Sequence, residues 1–517
     1  MKNKRNHRGA VKVRRAFSDS RKLKAGSYSR GVTILLVIAF MGVFALIMSS
    51  ITGYVFQQSR YGRALYGREQ ALHIAEAGLE YYRWFLAHNP SIMTAGVGVV
   101  SPYTYTVTDP EGSTQGSSVV TATANLQCGV PQWIDLSSKG TADANPLFPR
   151  TLSARYMRPS VAGYSTVLNA NTAFSSTGTS TGPIHGNGGI HMDGYNDSDV
   201  TSPLSSWNCT TSYGCNPAST TASGVLGSGA GYALWRWGAT VPNISFPNMV
   251  PNYGTLKSYA QSNGGIYLPY TLSGNTVGGS DLRGYHLIFQ SNGTVNVYRV
   301  FTTVAADSKH PDDTSTWVTD NHIIASGGEV FVNNYAIPSG CGLIYSEAKT
   351  WIEGTIAGKV TIVAADEVSA PDGGAYAPDI ILANNITYTT TDGSVGLTAV
   401  AERSVVIPLN SPDVLTIRGI FVAQTGYFGR NRYTNSGDHK VPTSPVDYSS
   451  YVTRSTLNRF GTVVSTLRPA TKWTSGGSLV SGYNAGGTWY DRVLAFSPPP
   501  FTPTVSTDYK FTLWREE

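Results

Sequence analysis

Arg30-Gly31-Val32-Thr33-Ile34-Leu35-Leu36-Val37-Ile38-Ala39-Phe40-Met41-Gly42-Val43-Phe44-Ala45-Leu46-Ile47-Met48 opens a run with no charged side chain before Arg60. A helix needs about 20 apolar residues to cross a hydrocarbon layer of roughly 30 Å, and this run is long enough. A core helix of a soluble domain is rarely apolar on every face for so long. A secretory signal peptide has a shorter apolar core, followed by a small-x-small cleavage site. Here the run is longer and helical character continues past it, so removal at its far end is not expected. The segment therefore reads as a retained membrane helix.

Working outward toward the N-terminus, residues 1–31 hold eleven basic residues against one acid, Asp19, a net charge of +10. The whole chain is +6 of 517 residues, so everything after residue 31 carries −4. By the positive-inside rule the basic arm stays in the cytoplasm and the chain after residue 60 lies outside. A mildly acidic body lacks the electrostatic footprint of a nucleic-acid binder. The arm itself is better explained by its place before an apolar run. No nucleic-acid partner is expected.

Toward the C-terminus the helix turns amphipathic. Tyr61, Leu65, Leu72, Ala75, Leu79, Tyr82 and Leu86 share one stripe, with Arg68 the polar residue on that register. Such a stripe packs against the chain's own body or a neighbouring helix. Asn89-Pro90 ends it, because proline lacks a donor and restricts the residue before it. Residues 32–88 would make one helix of roughly 85 Å.

A basic leader, Arg30-Gly31 and Val32-Thr33-Ile34-Leu35-Leu36 opening a membrane helix resemble a class III prepilin signal. The stretch Glu69-Gln70-Ala71-Leu72-His73-Ile74-Ala75-Glu76-Ala77-Gly78-Leu79-Glu80 is similar to the Ala-Glu-Ala-Gly-Leu-Glu signature of PilX-type minor pilins and K-type minor pseudopilins. The resemblance implies several things. Prepilin peptidase would cut between Gly31 and Val32. Val32, Thr33, Ile34, Leu35 and Leu36 would then begin the helix that packs with other pilins in the filament. Major pilins carry glutamate at the fifth mature position, which is Leu36 here, and in this family its lack goes with a place at the filament tip. The chain would be a single-pass protein of the cytoplasmic (inner) membrane with an extracytoplasmic head for adhesion or recognition.

After Pro90 the pattern changes to period two. Tyr103–Thr108, Val119–Ala124 and Arg150–Tyr156 alternate as strands, giving a small antiparallel pilin-like sheet at 89–160. From 161 to 430, short apolar strands recur between Gly, Asn and Asp turns, among them 286–289, 295–298, 330–332, 359–363, 380–382, 395–400, 405–407 and 415–417. This reads as a β-solenoid, with a β-sandwich as the alternative. Residues 431–517 read as a C-terminal region of strands and loops. The fold class expected is α+β: a long N-terminal helix, a small sheet and a large all-β body. The body also resembles an uncharacterised extracytoplasmic domain found behind PilX-type N-termini, through Thr181–Gly189, Leu256–Gly264 and Tyr490–Pro500.

Composition agrees: 14% charged residues is well below the roughly 25% of soluble domains, and 55 Gly with 27 Pro suit tight turns. Of four cysteines, Cys209 and Cys215 are spaced to close a small disulfide loop in an oxidising compartment, with inert free thiols as the alternative. No zinc-type spacing occurs.

The alternative function is a signal-anchored carbohydrate-active enzyme, whose carboxylates would be Asp193, Asp197 and Asp199, or Asp366, Glu367 and Asp372. Both sets sit among Gly, Asn and Ser, where aspartate usually caps a turn. His185 and His191 lie in a Gly-rich loop without a metal motif, and no hydrolase elbow, phosphate loop or His-Glu-x-x-His is present. No catalysis, cofactor or metal is expected. Trp207, Trp235, Trp237, Trp317 and Trp351 are candidates for contacting a surface glycan or protein, with core packing as the competing role.

Overall fold

The computed structural model describes residues 30–92, 100–247, 249–250, 252–270, 282–366 and 378–517. It is α+β: one long apolar N-terminal helix followed by a large β-rich body. Two compact units divide the chain, one ending at Gly67 and the other running from Arg68 to Glu517.

Helix α1 spans Arg30–His88 in 59 residues without a break. From Val32 to Phe56 seventeen large apolar side chains are 46–73% exposed, pointing to every side of the helix. The stretch is long and apolar enough to cross a membrane. Helix α1 stops where expected. The side-chain amide of Asn89 donates to the Phe85 carbonyl at 2.8 Å, and Pro90 follows.

From Gln70 onward α1 lies on an antiparallel sheet of β1 (Tyr103–Thr108), β2 (Thr114–Gln127), β3 (Val130–Ala142) and β4 (Arg150–Met157). Ala75, Leu79, Tyr82 and Leu86 pack with Val120, Ile134, Leu136, Leu152 and Tyr156. The buried stripe is shorter than the periodicity implied, since Tyr61 and Leu65 stay 66% and 43% exposed. The sheet also gains a fifth strand from far along the chain: Lys510–Glu516 pairs antiparallel with β4, Phe511 opposite Tyr156. Residues 89–160 therefore do not complete the sheet by themselves. The last strand reaches it because β4 would otherwise present an open edge.

The rest of the body is a parallel β-solenoid. Its strands pair in parallel from rung to rung, which a β-sandwich of antiparallel sheets does not do. One register runs through ten strands: Ile266, Ile344, Ile362, Ala399, Phe421, Val463, Thr166, Ile184, Val200 and Trp235. A second face stacks Leu287, Ile352 and Leu382. These side chains form the interior, every one of them apolar except Thr166. On the other side of the first face, Tyr345, Val363, Val400, Val422, Val464 and Val167 make a second apolar row. Phe246, Met249, the helix Tyr253–Ser262 and Leu494 cover it.

Stacking order does not follow chain order. Residues 166–237 stack outward from one side of the strand Thr453–Ser465, and 266–423 stack on its other side. The division expected at 430 is therefore absent. The strand Thr453–Ser465 pairs along ten residues with Val414–Ala423, and Ser478–Trp489 continues the stack. Long strands bend at glycine. Gly419 (φ +154°) sits opposite Gly461 (φ +115°), and a Cβ on Gly461 would lie 2.2 Å from the Gly419 carbonyl oxygen.

Candidate functional site

At the start of α1, Gly31 is helical and nothing lies within 4 Å of where its Cβ would stand. Val32, Ile34, Leu35 and Leu36 are 51%, 60%, 70% and 53% exposed, Thr33 is exposed too, and the first turn contains no acid. Residues 1–29 of the basic leader lie outside the described residues.

Farther along α1 the signature Ala75-Glu76-Ala77-Gly78-Leu79-Glu80 is a packing surface. A Cβ on Gly78 would meet the Ser118 hydroxyl at 2.0 Å, and one on Gly140 of β3 would meet the Ala71 carbonyl oxygen at 2.1 Å. The Ser118 and Ser138 hydroxyls bond at 2.6 Å, and Ser138 donates to the Ala75 carbonyl at 2.7 Å. Helix and sheet backbones thus come close enough for serine to bridge them, which is why the helix needs glycine there.

Cys209 and Cys215 form a disulfide around the turn Thr211–Tyr213. Cys128 and Cys341, 213 residues apart, form another, tying the β2–β3 turn to the loop before Leu343. His191 lies with the sulfurs of Cys209 and Cys215. Those sulfurs are spent on each other, so they offer no thiolates to a metal.

Among the acids picked out in the sequence, Asp193 and Asp197 accept from loops far along the chain rather than capping their own turns. Asp193 accepts from the Ser228 amide and hydroxyl, both at 2.8 Å, and Asp197 accepts from the Gly182 amide at 2.7 Å. Asp199 is exposed at its turn. Glu402 accepts from the Asp366 amide at 2.8 Å, while Glu367 and Asp372 lie outside the described residues. His185 contacts Thr201 and Asn187, each at 3.0 Å, and burial pushes its pKa below the usual value despite the Asn187 bond.

Trp207, Trp235 and Trp351 are buried with their indole N–H donating to the Ser223 carbonyl, Asn196 Oδ1 and the His322 carbonyl. Trp237 is 44% exposed, and Trp317 stacks on His439 with centroids 4.7 Å apart. The three stretches of the body's resemblance converge. The Tyr490 amide donates to the Thr181 hydroxyl at 2.8 Å, and Leu256 and Leu494 share one apolar cluster.

A further polar site, away from these residues, was not legible in the sequence. On the outer side of the second solenoid face a cleft of about 620 Å³ is lined by His286, Glu329, Trp351, Glu353, Asn384, Asn410, Asp413 and Arg454, among others. Parallel register assembles its floor: His286 lies beside Trp351, and Ile288 beside Glu353. Loops at 324–329, 408–413 and 450–454 make the walls.

His286 Nδ1 is 2.7 Å from Glu329 Oε2, and its Nε2 is 3.4 Å from Glu353 Oε1. Burial disfavours the charged imidazole, but the two carboxylates outweigh that and lift the pKa to about 9. The His286 bond in turn holds Glu353 below its ordinary value.

At the back of the cleft His322, itself part of the lining, sits between Asp320 and Asp379, at 3.6 and 3.7 Å, with Arg403 paired to Asp379. Burial works to raise the Asp379 pKa, yet Arg403 and His322 hold it well below the carboxylate range. That buried network fastens the hairpin Thr303–Ser308/Val318–Ile324 to the solenoid, also through Tyr433 and Asn431, which donate to Asp320.

Neither a protein-family model nor a curated protein matches the sequence. Among solved structures, the competence-associated pilin ComZ from Thermus thermophilus aligns at 12% identity with a TM-score of 0.28, over 87% of this chain and 98% of that one. A likeness at that score carries no argument about this chain.

Proposed function

We propose that the chain is a membrane-anchored, pilin-like subunit of a type IV pilus or secretion pseudopilus, of the PilX or K type. One observation carries the reading. Helix α1 is unbroken from Arg30 to His88, apolar and exposed on every face in its first half and seated on an antiparallel sheet in its second. Leaving seventeen large apolar side chains in water would forgo on the order of 20 kcal/mol or more, so a bilayer or the helices of other subunits must cover them.

In this reading the leader lies in the cytoplasm, prepilin peptidase cuts between Gly31 and Val32, and Val32, Thr33, Ile34, Leu35 and Leu36 enter the helix bundle of the filament. Leu36, in place of an acid, suits a tip position, where no subunit above needs its N-terminal amine paired. The body then serves adhesion or surface recognition, through a glycan or protein ligand, and performs no catalysis.

The intact mass of the chain isolated from the envelope tests this. The expected mature protein begins at Val32 and keeps the whole of α1. A secreted product starting beyond Phe56, or a chain recovered uncut from the soluble cell fraction, overturns it.

A further inference from the structure

We infer that the cleft on the solenoid's second face binds a non-acidic saccharide, a neutral or amino-bearing oligosaccharide. The inference concerns the body alone and does not rest on the filament reading.

Three observations carry it. The first is construction. The floor belongs to neighbouring strands of a parallel stack, while the walls come from loops rooted at three separate places in the chain. The floor is thus rigid and the walls define a trough running across rungs. Neighbouring rungs are about 4.8 Å apart, close to the length of one pyranose ring, so the spacing of the floor matches that of sugar units.

The second observation is the donor and acceptor set. Glu329, Glu353 and Asp413 supply carboxylates, Asp413 held in place by Ser455, and Asn384 and Asn410 supply amides, the Asn384 oxygen accepting from the Asn385 amide. Glu329 commits Oε2 to His286 and keeps Oε1. The Arg454 side chain is 9% exposed, and its guanidinium lies 3.9 Å over the Tyr451 ring. Its Nε is buried with no hydrogen-bond partner among the described residues. Its Nη1 faces Asp413 Oδ1 at 4.0 Å, which holds the guanidinium at the wall of the cleft. Carboxylates beside amides take the paired hydroxyls of a sugar, each of which can donate to one and accept from the other.

The third observation is charge. Glu329, Glu353 and Asp413 face His286 and Arg454, and His322, which also lines the cleft, is held between Asp320 and Asp379, so no cation of the lining lacks a carboxylate partner. Phosphate, sulfate and uronate polymers are disfavoured there, and an amino group is welcome. Trp351 is buried in the floor and the Tyr451 ring is occupied by Arg454, so recognition rests on hydrogen bonds rather than on stacking.

The test uses the full chain in a zwitterionic, sugar-free detergent, applied to immobilised neutral, amino-bearing, uronic-acid and sulfated oligosaccharides, with titration calorimetry of each saccharide retained. A neutral or amino-bearing oligosaccharide is expected to bind. The Asn384→Ala variant, at an exposed position, should weaken that binding by about tenfold or more without changing the melting temperature. Ser326→Trp, on the exposed wall, should block it by bulk. Three results would overturn the proposal: retention of no saccharide, retention of acidic polymers alone, or binding that survives both variants and is lost instead in Trp237→Ala.

Discussion

His286 carries its positive charge where burial argues against it, because Glu329 and Glu353 stand on either side of the ring. Its pKa rises from 6.5 to about 9. A group whose folded pKa stands above the unfolded one contributes its full stability below the unfolded value and loses it as pH climbs through the folded value. The contribution is thus complete below about pH 6.5 and gone by about pH 10, on the order of 3 kcal/mol at its fullest. Thermal unfolding of the wild type should drop in midpoint between pH 7 and 10. His286→Gln should begin lower at pH 7 and show a flatter fall, and an unchanged slope in that variant would remove His286 as the cause. The sequence places His286 on a strand but gives no hint of its company. Glu329 and Glu353 come from 43 and 67 residues downstream, and only the parallel register and the hairpin excursion bring them together. The bonds of Asp193 and Asp197 were hidden for the same reason, because their partners Ser228 and Gly182 lie 35 and 15 residues away in the chain.

Helix α1 was the most legible element, since hydropathy and a proline stop act within the helix itself. Its partner surface was legible only in part. The stripe of period 3.6 includes Tyr61 and Leu65, but the sheet reaches only as far back as Gln70, so periodicity alone overstates what is buried. Gly78 and Gly62 separate the two halves of the helix experimentally. Gly78 has the Ser118 hydroxyl where a Cβ would go, whereas Gly62 has open space. Gly78→Val should cost about 3 kcal/mol by forcing helix from sheet, and chemical denaturation should read it as a lower midpoint. Gly62→Ala should be neutral or stabilising by up to about 1 kcal/mol, since alanine favours the helix. Equal losses in both variants would contradict the close approach at Gly78. The solenoid strands from 286 to 417 were visible because each carries an apolar run between turns. Their neighbours were not, because runs of Val, Ile and Ala pair equally well with many others.

At the scale of the molecule, the boundary drawn at 430 fails because stacking order and chain order differ. The strand Thr453–Ser465 is the rung on which 166–237 and 266–423 both lean, and Lys510–Glu516 finishes the sheet begun by β1–β4. Deleting 431–517 should therefore yield no folded body. Size-exclusion chromatography of the truncated chain should show aggregate alone, and a monodisperse monomer would refute the shared rung. No periodicity announces such an arrangement, because each rung carries the same kind of apolar ladder whichever neighbour it meets. The arrangement also sets a timetable. A polypeptide delivered N-terminus first, from a ribosome or through a translocation pore, presents Val167 and Leu168 long before Val464 and Ser465 arrive to receive them. The rungs from 166 to 237 can pair with one another early, but the open edge at Thr166–Leu168 must wait until nearly the whole chain has emerged. Such a protein threads easily while incomplete, locks only near the end of its delivery, and leans on holding factors in the interval.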